Sequence, residues 1–308
     1  MYEQNQTHVV EILLLGFQNL HNFKIVLFVL FLMIYIATLT GNIVIIMLVG
    51  LHRQLHTPMY FFLSLLSTSE IITTSNIVPK MLQGILEDGC KLSFKECMIQ
   101  FYIFSSSTNA ECFLLTAMSY DRYVAICNPL RYVSIMDLRL RLHLVFWSWA
   151  IGFMITAIIV TMVLKLDFCG PNIINHFFCD MAPILNLSCS DTTVVEIQAF
   201  LFSLPVILFP FIFITVTYVY ISFAIHRLSS TTERQKAFST CSSHLAVVCT
   251  YYGTLISVYV VPSKGHLPTV NKVLSLLYII VTPLLNPIIY SLRNQEIKIS
   301  LRKCISRQ

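Results

Sequence analysis

The stretch that decides the fold is residues 97–129, from Cys97 through Glu111 to Ser119-Tyr-Asp-Arg-Tyr-Val-Ala-Ile-Cys127 and Asn128-Pro129. It opens on a cysteine, runs apolar for about 20 residues around one carboxylate, the length a bilayer core requires, and closes on an acid–base pair. As a helix it would be roughly 40 Å long, more than enough to cross a bilayer. Phe104, Thr108, Glu111, Leu115, Met118 and Arg122 follow one another by four and three, so they share one face. That face is aromatic and polar at one end, acidic midway and cationic at the other. Such a face belongs inside a helix bundle, not against lipid.

The rest of the chain agrees. Of 308 residues 56% are hydrophobic and 11% charged, against about 25% charged in a soluble domain. Seven long apolar segments stand out, roughly 24–50, 58–83, 97–120, 142–164, 194–226, 237–261 and 271–292. No linker, low-complexity tract or internal repeat divides them. The expected fold is an all-α seven-transmembrane bundle formed as one domain over 1–308, with a short amphipathic helix at 295–305. In that last segment Ile297, Leu301 and Cys304 or Ile305 oppose Lys298, Arg302 and Lys303, a pattern suited to the inner leaflet.

Charge sets the expected orientation. The loops after the first, third and fifth spans and the C-terminal tail hold 13 of the 20 Lys and Arg, among them Arg53, Arg131, Arg139, Arg141, Arg227, Arg234 and Arg302. The other side holds 7. The positive-inside rule then places the C-terminus in the cytoplasm and the N-terminus outside, in a multi-pass plasma-membrane protein. The first 23 residues lack a basic n-region and a small-residue cleavage site, so the first span is expected to act as signal anchor. Asn5-Gln6-Thr7 is a glycosylation acceptor on the expected outer side.

Cysteines divide the same way. Cys90, Cys97, Cys169, Cys179 and Cys189 fall in or beside outer loops, where disulfides persist. Cys112, Cys127, Cys241 and Cys249 read as small hydrophobes, and Cys304 beside Arg302 and Lys303 as a hydrophobe or a palmitoylation site. A bridge from Cys97 to the 30-residue loop after Lys165 would hold that loop over the bundle mouth. Spacing leaves the connectivity open.

Several polar residues lie within apolar spans. Asn42 must find a partner in the bundle. Glu70 and Glu111 sit at about mid-depth in adjacent spans with no Lys or Arg at that level. They can hydrogen-bond locally as neutral acids, share a proton, or hold sodium together. Asp121 and Arg122 can pair in a closed bundle and separate in an open one. Pro287 frees a helix carbonyl that the neighbouring Asn286 is expected to satisfy, making the seventh span a hinge. Tyr252, Leu255 and Tyr259, three or four apart, can line one cavity wall. No nucleophile–base pair or metal cluster appears, so an enzyme is not expected. An ion-coupled transporter using Glu70 and Glu111 is the remaining other class, but it would normally show inverted repeats.

Six motifs in order carry a resemblance that spans nearly the whole chain: Gly41-Asn42, Pro58-Met-Tyr-Phe-Phe-Leu-Ser64, Ser119 to Cys127, Lys236-Ala-Phe-Ser-Thr-Cys241, Tyr252-Gly253 and Pro283-Leu-Leu-Asn-Pro-Ile-Ile-Tyr290. The chain resembles an olfactory receptor, a rhodopsin-like G-protein-coupled receptor. The resemblance implies disulfides Cys97–Cys179 and Cys169–Cys189, leaving Cys90 free. It implies an odorant pocket of Phe104, Ser105, Thr108, Asn109, Phe202, Val206, Tyr252, Leu255, Tyr259 and Ile279. It assigns coupling and activation to Asp121, Arg122, Tyr123, Tyr218, Asn286, Pro287 and Tyr290. The implied partners are a small odorant, the olfactory stimulatory G protein with cAMP as output, and trafficking helper proteins, with no nucleic acid and no cofactor beyond the possible sodium.

Phe104 stands where amine receptors need Asp, which disfavours an amine. The lining is apolar with a few hydroxyl and amide groups and no fixed charge at pocket depth, as a small neutral ligand requires. A class A receptor for another small lipophilic metabolite is the alternative.

Overall fold

The structure, a computed structural model, describes residues 11–17, 22–169, 171–227, 230–257, 268–293 and 295–305. It is a bundle of seven long helices capped at one end by a small sheet. The helices are α1 (Lys24–Leu51), α2 (Pro58–Leu86), α3 (Phe94–Cys127), α4 (Leu138–Val163), α5 (Thr193–His226) and α6 (Thr231–Leu255). The seventh, α7, joins Pro268–Leu276, a π-turn at Leu277–Val281 and Thr282–Arg293; a last helix, α8, spans Gln295–Ile305. Tyr259 and Asn5 lie outside the described residues, as do the side chains of Tyr290 and Cys304.

Local sequence explains the ends. Pro58 starts α2, where its missing N–H costs nothing. Ser93 and Glu96 form a reciprocal cap on α3: the Glu96 amide donates to Ser93 Oγ at 3.2 Å and the Ser93 amide donates to Glu96 Oε2 at 2.8 Å. The Ser93 amide and the Ser93 hydroxyl, both donating to Glu96 Oε2 at 2.8 Å, hold the Glu96 carboxyl below its usual range. Asp137 caps α4 by accepting from the Leu140 amide at 2.8 Å.

α3 is the central helix and packs on α2, α4 and α5. Five helices are long and apolar enough to cross a membrane, namely α1, α2, α4, α5 and Val270–Ile289 within α7. α3 is more polar, and its Ser106, Ser107, Thr108, Glu111, Ser119 and Asp121 are all buried in protein. Large apolar side chains on α1 and α5, such as Ile25, Met33, Phe209 and Phe223, face outward, as lipid-facing surfaces do.

The α1–α7 contact corrects one expectation. Pro287 frees the carbonyl of Pro283, but the bond comes from another helix: Asn42 Nδ2 donates to it at 3.2 Å. Asn286 instead donates its amide to Glu70 Oε1. Gly41 permits the approach, because a Cβ there would meet the Pro287 ring at 3.0 Å. Just upstream, the π-turn precedes a second proline, Pro283, and Thr282 Oγ1 donates back to the Leu277 carbonyl at 3.2 Å. A π-turn of this kind often marks a functional region.

The cap is a three-stranded sheet in the order β2-β1-β3, with β1 at Glu11–Leu14, β2 at Cys90–Ser93 and β3 at Ile173–Ile174. β1 runs antiparallel to β2, pairing Ile12 with Leu92, and parallel to β3, pairing Leu14 with Ile174. Ile12 and Leu14 are buried beneath it with Phe101, Ile159 and Ile184.

Candidate functional site

Two disulfides fix the lid. Cys97 bonds Cys179 across 82 positions and Cys169 bonds Cys189 across 20. Cys90 remains a free, buried thiol against Gln83, and burial pushes its ionisation up. Under the first bridge Gln100 is a clamp that sequence reasoning missed. Its Oε1 accepts from the Cys179 amide at 2.8 Å, and its Nε2 donates to the Asn76 carbonyl at 3.1 Å.

Above, His176 is buried between Phe177 and Phe178, with ring centroids 4.7 Å from each. Burial, aided by Lys272, pushes its imidazole down to about 3. Lys272 of α7 donates to the Gly16 carbonyl and to Asn175 Oδ1, both at 2.7 Å. One ammonium thus ties the seventh helix to the end of β1 and to the lid loop.

Beneath the lid lies the expected ligand face. Phe104 meets Phe178 edge-on at 5.0 Å and Tyr278 at 5.9 Å. Thr108 Oγ1 donates to the Phe104 carbonyl at 2.9 Å and shares a hydrogen bond with the Tyr278 hydroxyl. Tyr251 donates to the Thr108 carbonyl at 2.9 Å, and Tyr252 to the Cys112 carbonyl at 3.0 Å. Val206, Leu255 and Ile279 are buried in this core; Phe202 packs higher, on the lid cluster. Ser105 is half-buried. Asn109 turns to α4, where its Nδ2 donates to Thr156 Oγ1 at 3.3 Å. Tyr251 and Tyr278 were not anticipated; a hydroxyl within an apolar span was the available signal for both.

One turn deeper are the acids. Ser69 Oγ donates to Glu111 Oε1 at 2.9 Å. Glu70 takes the Asn286 amide on Oε1 and is also reached by the Asn42 side chain, while the Thr73 hydroxyl faces Glu111; Glu70 Oε2 itself is buried without a close hydrogen bond. Two carboxylates, an amide and nearby hydroxyls form a hard oxygen-rich donor set. Among the described residues no group of three or more His, Cys, Asp and Glu could hold a metal.

At the far end of α3, Arg122 Nη2 donates to Asp121 Oδ2 at 2.8 Å, and the Tyr132 hydroxyl donates to Asp121 Oδ1 at the same distance. Desolvation, then the Asp121 charge, raises the Tyr132 phenol above its usual range. Tyr218 and His244 Nδ1 bond at 2.6 Å, joining α5 to α6. His244 is fully buried. Tyr123 meets Tyr220 of α5 edge-on at 6.2 Å.

A seven-helix membrane bundle with a disulfide-held lid at one end and a closed arginine–aspartate pair at the other is the architecture of a rhodopsin-like receptor. The family model described as olfactory receptor matches residues 31–308. Olfactory receptor 11L1 of Homo sapiens is 48% identical over 308 residues, covering 100% of this chain and 96% of that one. Olfactory receptor 10A3 of Homo sapiens is 45% identical over the same length, covering 98% of its own chain. Olfactory receptor 5G26 of Mus musculus is 46% identical and covered to 97%. The chain belongs to the olfactory receptor family, whose members are receptors coupled to G proteins.

Proposed function

We propose that this receptor works as one seven-span unit in the plasma membrane, N-terminus outside and C-terminus in the cytoplasm. It binds a small, neutral, mostly apolar odorant under the lid and activates the olfactory stimulatory G protein, raising cAMP. The observation that carries this is the double attachment of α6. Near the lid Tyr251 and Tyr252 bond the α3 backbone; at the other end His244 bonds Tyr218.

An odorant wedged among Phe104, Val206, Leu255 and Ile279 gains about 0.8 kcal/mol per buried CH₂. Its volume repacks Tyr252 and loosens α6 from the Cys112 carbonyl. Movement of α6 then separates His244 from Tyr218, and Arg122 leaves Asp121 to engage the G protein, with Tyr218 and Tyr290 assisting. The buried, unpartnered Glu70 Oε2 supports a proton or sodium ion shared by Glu70 and Glu111, with Asn286 and Thr73 completing the donors.

The test is cAMP output from cells co-expressing the chain, the olfactory stimulatory G protein and trafficking helpers, challenged with a diverse odorant panel. An odorant response abolished by Arg122→Ala, with that variant verified at the surface, is the expected result. A response that survives Arg122→Ala overturns the coupling route. Silence of the surface-expressed chain across the panel overturns the odorant reading.

A further inference from the structure

At the end of the bundle that carries Arg122, the tips of α5 and α6 enclose a groove that neither the ligand face nor the Arg122–Asp121 pair uses. Its volume is about 320 Å³, at the small end of ligand pockets, which run from about 300 to 1,000 Å³. Ser222 and His226 of α5 form one wall, Thr231, Arg234 and Phe238 of α6 the other, and the buried Ile225 lies between them. Spacing explains the walls. Ser222 and His226 are four apart, and Thr231, Arg234 and Phe238 follow one another by three and four, so each set shares one helix face.

Two properties point to an occupant. The first is the outlook of the groove. Ser222 and His226 continue an exposed row of α5 that runs through Ile212, Val216 and Val219, and Phe223 and Phe238 beside the groove are exposed too. Such an apolar row suits lipid, so the groove opens on the membrane side of the bundle, away from the interior that Tyr218 and Ile221 face. The second is charge. Residues 222–238 carry Arg227, Arg234 and Lys236 against one carboxylate, Glu233. Arg234 Nη2 donates to the His226 carbonyl at 3.3 Å, which holds the guanidinium across the gap between the helices. A guanidinium is a planar fork of five N–H donors that matches a phosphate.

We propose that this groove binds the headgroup of an anionic phospholipid, its phosphate on Arg234 between the Ser222 and Thr231 hydroxyls and its acyl chains along the exposed row of α5. The orientation proposed above sets this end in the cytoplasmic leaflet, where anionic lipids supply a negative surface. The groove belongs to the closed receptor, in which Arg122 is paired with Asp121. A ligand that fits one state favours it, so the headgroup restrains α6. That restraint rests on the α6 movement of the proposed function; the binding itself needs no odorant.

The experiment places purified receptor in phosphatidylcholine nanodiscs containing photoactivatable phosphatidylserine, or phosphatidylcholine with the same reactive chain, and maps labelled peptides by mass spectrometry. Phosphatidylserine is expected to dominate the labelling of residues 212–238. Arg234→Gln should lower that labelling about fivefold, the weight of one cation near an anionic surface. Ser222→Phe fills the groove without touching a charge and should lower it as far. Thr231→Phe does the same from the opposite wall, which guards against local damage at Ser222. Arg139→Gln removes a cation at the same end outside the groove and should leave the labelling unchanged. Amide exchange across residues 231–238 should slow several-fold when phosphatidylserine is present.

Equal labelling by the two lipids, or equal loss in Arg139→Gln, overturns the site in favour of general attraction to a basic surface. Labelling that survives both Ser222→Phe and Thr231→Phe places the lipid elsewhere and also overturns it. Full competition by inorganic phosphate assigns the groove to a soluble anion and overturns the lipid. Specific labelling with unchanged exchange overturns the restraint on α6 alone. Every arm runs without odorant, so failure of the odorant reading leaves the result standing.

Discussion

Gly152 is the tightest point of the α3–α4 contact, and replacing it with alanine gives a quantitative test of the packing. A Cβ there would lie 2.7 Å from the Ser106 carbonyl oxygen and 3.3 Å from both the Ala110 nitrogen and the Asn109 Cβ. These atoms are helix backbone or the first carbon of a side chain, so no flexible tip can give way. Restoring an ordinary 3.4 Å contact requires α4 to withdraw by about 0.7 Å. One turn along, the Asn109–Thr156 bond is already 3.3 Å long, and such a shift takes it beyond hydrogen-bonding range.

Overpacking of this kind costs about 1–3 kcal/mol, and an interhelical hydrogen bond in a membrane contributes about 0.6 kcal/mol. Gly152→Ala should therefore lose about 2 kcal/mol, roughly a thirtyfold drop in the folded-to-unfolded ratio. The assay is thermal unfolding of purified receptor followed with a thiol-reactive fluorogenic maleimide. It suits this chain because Cys90, Cys112 and Cys241 are free and buried, whereas Cys249 supplies only a constant background. Gly50→Ala is the control, since a Cβ there meets nothing within 4 Å. If Gly152→Ala melts with the wild type, or if Gly50→Ala falls equally far, the close approach of α3 and α4 is not what holds this contact.

Three further outcomes are expected. Sodium should raise the melting temperature of the wild type but not of Glu70→Leu or Glu111→Leu, by the linkage that couples any native-state ligand to stability; a full sodium shift in both variants removes the pair as a site. Lys272→Met deletes the ties to Gly16 and Asn175, so hydrogen exchange across residues 11–17 should quicken several-fold while α3 stays protected, and unchanged exchange refutes the tie. His176 has a native value of about 3 against 6.5 unfolded, so below 6.5 the unfolded chain takes up a proton that the lid excludes. Stability should then fall with pH through the window from 6.5 down to about 3, by about 1 kcal/mol over the first unit and at most about 1.4 kcal/mol per unit below it; His176→Phe should flatten that slope, and an unaltered slope would assign acid sensitivity elsewhere.

The fold was largely legible because bilayer physics leaves few options for polar atoms. The four-and-three spacing of Phe104, Thr108, Glu111, Leu115, Met118 and Arg122 marked an inward face, and all but Arg122 are fully buried. Asn42 had to face the bundle, and it is fully buried against α7. Spacing does not reveal which neighbour stands opposite. Asn109 follows Thr108 directly, yet about 100° of helical rotation carries it to Thr156 on α4. The sheet was illegible for a related reason: Glu11–Leu14 is too short to announce a strand, and its register partners lie 76 to 82 positions away at Cys90–Ser93 and 160 away at Ile173–Ile174.

The proline pair in α7 shows how much such pairings decide. From sequence, the nearest amide to the break at Pro287 is Asn286, and local repair was the economical expectation. In the fold, Asn42 reaches the Pro283 carbonyl because Gly41 lets the Pro287 ring come close, and this releases the Asn286 amide to hold Glu70. The hinge of α7 is therefore stabilised from α1 while its own asparagine anchors the acid in α2. A substitution at Asn42 would consequently be felt at Glu70, which the Asn42 side chain also reaches directly. An intact Glu70–Asn286 bond in an Asn42→Ala structure would show that the helix repairs itself.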